Sequence, residues 1–246
     1  MRRSPLCWRA GPKPLKRSPL LIRVRRELCR VADPRKAPAM QTYMKSAMPY
    51  HGVEAALLEK TLKPLFGDVE LPDANVWRDR VLELWRGAKF REERYAAILL
   101  SGDRRAALFQ VPRAMRMYEE MIVTGAWWDY VDVIASRRVG AILNRHPGPM
   151  KKSMLAWSKS DNLWKRRTSI LCQLGFKKET DLDLLYACIE PSIDSAEFFL
   201  RKAIGWALRQ YAWTDPSEVK RYVRQNESKL STLTKREALK NISRGK

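Results

Sequence analysis

The stretch Thr124-Gly125-Ala126-Trp127-Trp128-Asp129-Tyr130-Val131-Asp132-Val133-Ile134 has the spacing of a helix. Trp127, Val131 and Ile134 stand at i, i+4 and i+7, the stripe that a helix turns toward a core. Trp128 and Asp132 are also one turn apart, on the neighbouring face. An indole and a carboxylate projecting together beside a core have no use on a plain solvent face, so the pair marks a small aromatic and anionic site. The plainer alternative has Trp128 partly covered by the next pair of helices and Asp132 hydrogen-bonded to a backbone group or an arginine.

Working outward, the pattern stays helical from Pro38 onward, with few alternating β-branched runs. Asp194 with Glu197, and Thr234 with Glu237, have capping-box spacing. Asp215-Pro216-Ser217-Glu218 supplies an N-cap, a proline at the first helical position and an acid in the first turn. Stops are expected at Gly67, Gly87, Gly102, Gly148 and Gly175. Punctuation every 15 to 30 residues suits stacked helical hairpins; the 210 residues after position 36 would hold about five repeats of roughly 40. The fold class is therefore all-α, an α-solenoid of HEAT-like hairpins, and a compact helical bundle fits the same spacing.

The chain of 246 residues carries 48 Lys and Arg against 27 Asp and Glu, a formal charge of +21. Residues 1–36 hold 12 basic and 2 acidic side chains, residues 37–150 hold 16 and 14, and residues 151–246 hold 20 and 11. Such clustering suits a polyanionic partner better than a general solubility role. The first 20 residues carry four prolines and almost no acid. Residues 1–36 are accordingly expected to be a basic, disordered arm, and residues 37–246 the folded domain. An Arg-rich, acid-poor start also has the composition of an organellar transit peptide, whereas Lys13, Lys16 and Arg17 interrupt any export signal. No apolar run approaches the ~18 residues of a membrane span, and the scattered Cys7, Cys29, Cys172 and Cys188 suit a reducing compartment. The expectation is a cytoplasmic protein, drawn to the nucleoid through its partner.

Four cysteines without a CxxC pair and two histidines, His51 and His146, make a zinc cluster or histidine catalysis improbable. Two further segments carry unusual residues. In 160–174, SDNLWKRRTSILCQL, Leu163, Arg167, Ile170 and Leu174 share one helical line, so Arg167 interrupts an apolar register; a guanidinium is tolerated there if its head reaches water, a carboxylate or a phosphate. Lys165 and Arg166 beside it are candidates for phosphate contacts. In 197–212, EFFLRKAIGWALRQYA, mid-helix Gly205 costs up to ~1 kcal/mol and points to close helix packing, with Trp206 next to it either core or site.

WWDYVD at 127–132, these two segments and LTKREALKNI at 233–242 together resemble the DNA alkylation repair family of AlkD-type DNA glycosylases, in order and from about Tyr43 to Ile242. The resemblance implies a HEAT-like solenoid with DNA on a concave basic face. It implies excision of cationic 3-methyladenine and 7-methylguanine from duplex DNA in base excision repair, without metal or organic cofactor. By position in the motifs, Asp132 would be the catalytic carboxylate, Trp128 and Trp206 the cleft aromatics and Arg167 the cleft arginine; Tyr43 resembles an N-terminal cleft tyrosine through a shorter motif. Lys165, Arg166, Lys202, Arg209, Lys235 and Arg236 are the expected DNA-backbone contacts. A monofunctional enzyme is expected, since no lysine stands out as a Schiff-base nucleophile, and a monomer is expected as well. The competing class is a non-catalytic HEAT-like module that binds damaged or distorted nucleic acid.

Overall fold

The structure, a computed structural model, describes residues 19–242. Among them there is no strand, and the helices fall into two compact units that divide between Phe109 and Gln110.

The first unit contains α1 (Leu20–Arg30), α2 (Ala37–Tyr43), α3 (Ala55–Gly67), α4 (Ala74–Gly87) and α5 (Arg91–Ser101). Helix α1 corrects the expected boundary at residue 36. Leu20, Val24 and Leu28, one turn apart, are fully buried, and α1 packs on α3, α4 and α5. Its many arginines hid that stripe, because they occupy the other faces. One of them, Arg25, is also held: Nε and Nη2 donate to Oε1 and Oε2 of Glu93 on α5 at 2.6 and 2.9 Å. Residues 1–18, the remainder of the expected arm, lie outside the described residues.

Two further polar devices close this unit. Glu92 has no solvent exposure and accepts the backbone N–H groups of His51, Gly52 and Val53 at 2.9 to 3.0 Å. Gly52 has φ +83°, and a Cβ there would lie 2.1 Å from the carbonyl oxygen of Asp33, so the turn requires glycine. Arg105 donates to the carbonyls of Phe66, Gly67 and Val69, satisfying groups that the end of α3 leaves open.

The second unit contains α6 (Met115–Gly125), α7 (Trp128–Val133), a π-helical segment (Ile134–Val139), α8 (Gly140–Arg145), α9 (Pro147–Ser158), α10 (Leu163–Leu171), α11 (Leu182–Ile189), α12 (Phe198–Tyr211), α13 (Pro216–Gln225) and α14 (Thr232–Leu239). Helix α10 is central, touching α6, α7, the π segment, α9, α11 and α12. It starts at Asn162, whose side chain accepts the N–H groups of Trp164 and Lys165. Helix α12 lies on α14 at Gly205, where a Cβ would come 2.6 Å from Cβ of Glu237 and 3.0 Å from the carbonyl of Thr234. That is the close packing the mid-helix glycine suggested.

The cap at Asp215 forms as expected, accepting from Ser217 and Glu218. The two capping boxes do not. Ser231, not Thr234, caps α14, and Glu197 occupies the N-cap position of α12 without a side-chain bond. Gly148 is no stop either, for it lies in the first turn of α9. No helix of the described residues is long and apolar enough to cross a membrane.

Candidate active site

Asp132 sits in the last turn of α7 and Arg167 in the middle of α10, 35 residues later. Nε and Nη2 of Arg167 donate to Oδ1 and Oδ2 of Asp132 at 2.7 and 2.8 Å. The side chains keep only 5% exposure on the arginine and 12% on the aspartate, so solvent screens the pair weakly. The third nitrogen, Nη1, donates to the carbonyl of Phe199 in the first turn of α12. One guanidinium thus ties together the three helices that carry Trp128, Asp132, Arg167 and Trp206. The apolar register interrupted by Arg167 is explained: its head reaches a carboxylate. The arginine partner foreseen in the plainer reading of Asp132 is present as well.

Burial pushes the Asp132 carboxyl above the ordinary aspartate range; the hydrogen bonds and charge of Arg167 oppose this, and nearby Asp129 adds to it. The carboxyl therefore takes up a proton at a higher pH than a free aspartate would.

Trp128 opens α7 one turn before Asp132 and is half-buried. Its neighbour Trp127, expected in the core stripe, is only partly buried, whereas Val131 and Ile134 are fully so. Trp127 packs instead in an aromatic cluster with Trp164 and Phe199, ring centroids 5.1 to 6.3 Å apart. Trp206 is half-buried against the core of the second unit. It follows Phe199 by seven residues, nearly the same face of α12 and about 10 Å along it. The sequence assigns Phe199 no role, although its carbonyl accepts from Arg167 and its ring joins the cluster of Trp127 and Trp164. The aromatic doublet Phe198-Phe199 was the signal available, and nothing in it announces a carbonyl acceptor.

Of the expected phosphate contacts, several have protein partners. Lys165 pairs with Glu119 at 2.7 Å and lies over the Trp157 ring. Lys202 and Arg209 both pair with Glu237 on α14. Lys235 donates to the carbonyl of Glu227. Arg166 is partly buried, with Nε shielded from solvent and lacking a hydrogen-bond partner, and Arg236 is exposed. Tyr43 ends α2 in the first unit, 77% exposed.

A bidentate Asp–Arg pair between the WWDYVD and SDNLWKRRTSILCQL motifs sets the chain beside known proteins. The family model described as DNA alkylation repair enzyme matches residues 24–242. The chain belongs to that family. Its match begins inside α1, in agreement with the packing of that helix. No curated protein matches the chain. Among solved structures, it is similar to a predicted DNA alkylation repair enzyme from Enterococcus faecalis, with TM-score 0.75 and 27% identity over 87% of this chain and 98% of the other. Membership in the DNA alkylation repair family makes DNA the partner to consider for the basic excess, and the all-helical fold is shared.

Proposed function

We propose that this chain is a monofunctional DNA glycosylase that hydrolyses the N-glycosidic bond of cationic alkylated purines in duplex DNA, 3-methyladenine and 7-methylguanine among them. The observation that carries the reading is the Asp132 carboxylate, held by a largely buried guanidinium and one helical turn from the indole of Trp128. Alkylation at N3 of adenine or N7 of guanine places a positive charge on the base. When the bond from C1′ to the purine nitrogen breaks, its electron pair leaves with the base, which departs neutral, and positive charge develops at the sugar. A fixed carboxylate stabilises that charge and orients water toward C1′; the water's proton passes to the carboxylate or to solvent. The face of an indole favours the cationic nucleotide. Arg167 holds both carboxylate oxygens in place and leaves each a second lone pair.

No general acid for a neutral leaving group is evident in this set of residues. Release of 7-methylguanine and 3-methyladenine is therefore expected, with uracil, hypoxanthine and 8-oxoguanine left in the duplex. Trp128→Ala and Trp206→Ala should each slow release of the methylated bases more than they weaken binding to undamaged duplex. Chromatography of bases freed from defined duplexes tests this, and release of uracil with methylated purines untouched would overturn it.

Binding to undamaged duplex should weaken linearly, in log–log form, as salt rises. Replacing exposed Arg236 by Gln should lower the slope by about 0.9 if it neutralises a phosphate. An affinity equal at low and physiological salt would remove phosphate contacts from the account.

A second reading, a non-catalytic module for distorted nucleic acid, is favoured by one observation: both oxygens of Asp132 are already engaged by Arg167, as in a purely structural pair. Excision by the wild-type chain separates the two.

A further inference from the structure

Helices α7, the π segment and α8 run on without a break in helical backbone angles from Trp128 to Arg145. Both ends of the π segment meet α10. Asp132, just before it, binds Arg167; at Gly140, just after it, a Cβ would come 2.4 Å from the backbone carbonyl oxygen of Cys172, the C-cap of α10. In an unbroken α-helix, residues eight apart are rotated by about 80° from each other, so the two would meet α10 from opposite margins of one face. A π turn bonds i to i+5 and takes up an extra residue, which brings the two positions to within about 20°. The Ser136 hydroxyl, inside the turn, donates to the carbonyl of Asp132 itself at 2.6 Å.

We propose that the π turn, locked by Ser136 and seated on α10 through Gly140, is the device that aims Asp132 at Arg167, so that Gly140 and Ser136 are positioning residues of the site. The contact at Gly140 is backbone on backbone, with no flexible side chain to yield. A methyl group there must drive α10 away from the π turn, and the arginine five residues earlier on α10 moves with it. The catalytic part of this inference rests on the reading of Asp132 given above; the geometric part does not.

Gly140→Ala and Ser136→Ala test it, with Gly148→Ala as control, since a Cβ at Gly148 meets nothing within 4 Å. The first readout is the titration of the Asp132 carboxyl, followed by NMR of carboxyl-labelled aspartate and assigned with Asp132→Asn. As the guanidinium is withdrawn, the midpoint should rise in both variants and stay in place in the control. The second is single-turnover release of 7-methylguanine, which should fall on the order of tenfold to a hundredfold in Gly140→Ala and less in Ser136→Ala, its acid limb moving up with the carboxyl, while binding to undamaged duplex holds. Variants that lose thermal stability but keep the wild-type Asp132 titration would overturn the proposal. If Gly140→Ala does not fold, Ser136→Ala, which adds no bulk, decides it. A wild-type chain that releases no methylated purine would refute the proposed function, yet the titration would still decide whether the turn aims the pair.

Discussion

Asp132→Asn is expected to lower release of methylated purines by at least ~100-fold, about 2.7 kcal/mol at the transition state. The amide keeps the shape of the carboxylate but removes the charge that would oppose the developing sugar cation. It also changes the fold's energetics. Arg167, 4% exposed, keeps the Phe199 carbonyl and one oxygen at position 132 but loses the other oxygen and its counter-charge, and a buried group left underpaired costs about 1–3 kcal/mol. Circular dichroism should therefore show an unchanged helical signal with a lower melting temperature, and excision is to be compared where both proteins are folded. A folded Asp132→Asn protein that excises like the wild type would end the assignment. In the wild type the acid limb of the excision rate should lie above the ordinary aspartate range, because burial raises the Asp132 carboxyl and protonation there removes the useful charge.

The second large effect is on stability and belongs to Arg25. Burial works against the Glu93 carboxylate, but the hydrogen bonds from Arg25 and the Lys89 backbone N–H, with the His51 ring close by, outweigh it and hold its pKa at about 2, against an ordinary 4.5. A depressed carboxylate adds stability that is fully present above the unfolded value and is lost as pH falls from about 4.5 toward about 2. The difference corresponds to about 3 kcal/mol. Arg25→Ala leaves Glu93, which has no solvent exposure, with a backbone N–H and the neighbouring His51. A loss of about 3 kcal/mol at neutral pH is expected, together with a smaller further loss on acidification, since the variant's Glu93 would already titrate nearer its unfolded value. Urea titrations of both proteins at pH 7 and pH 3 measure this. Equal stabilities at pH 7 would show that α1 is held by its leucines and valine alone.

What could be read from the sequence was whatever depends on neighbours along the chain. The helical period and the Asp215 cap are local properties, as is the oddity of a glycine in mid-helix at 205 that pointed to close packing, and they stood where expected. Arg167 could be recognised as out of place in an apolar line, and Asp132 as placed beside a core, but their meeting is a long-range fact carried by no local spacing. Helix α1 was missed for a different reason. Leu20, Val24 and Leu28 have the right period, yet the arginines between them dominate any composition count. The π turn has no composition signature at all: Ile134–Val139 reads as ordinary helix, and the extra residue shows only in the folded backbone. Glu237 was read as half of a capping box and turned out to face α12, because Ser231, three residues before Thr234, makes the better cap.

The carboxylates that hold Lys165, Lys202 and Arg209 bear on how such a protein would travel along a genome. A repair protein meets undamaged duplex almost everywhere, and each cation that docks on a phosphate lengthens its stay there. Glu119 and Glu237 act as internal counterions, occupying three ammonium or guanidinium groups before any phosphate arrives. If the chain acts as proposed, fewer cations are free for phosphate than its 48 Lys and Arg side chains would suggest, dwell time on intact DNA would be correspondingly shorter, and more of the chain's time would go to surveying new sites.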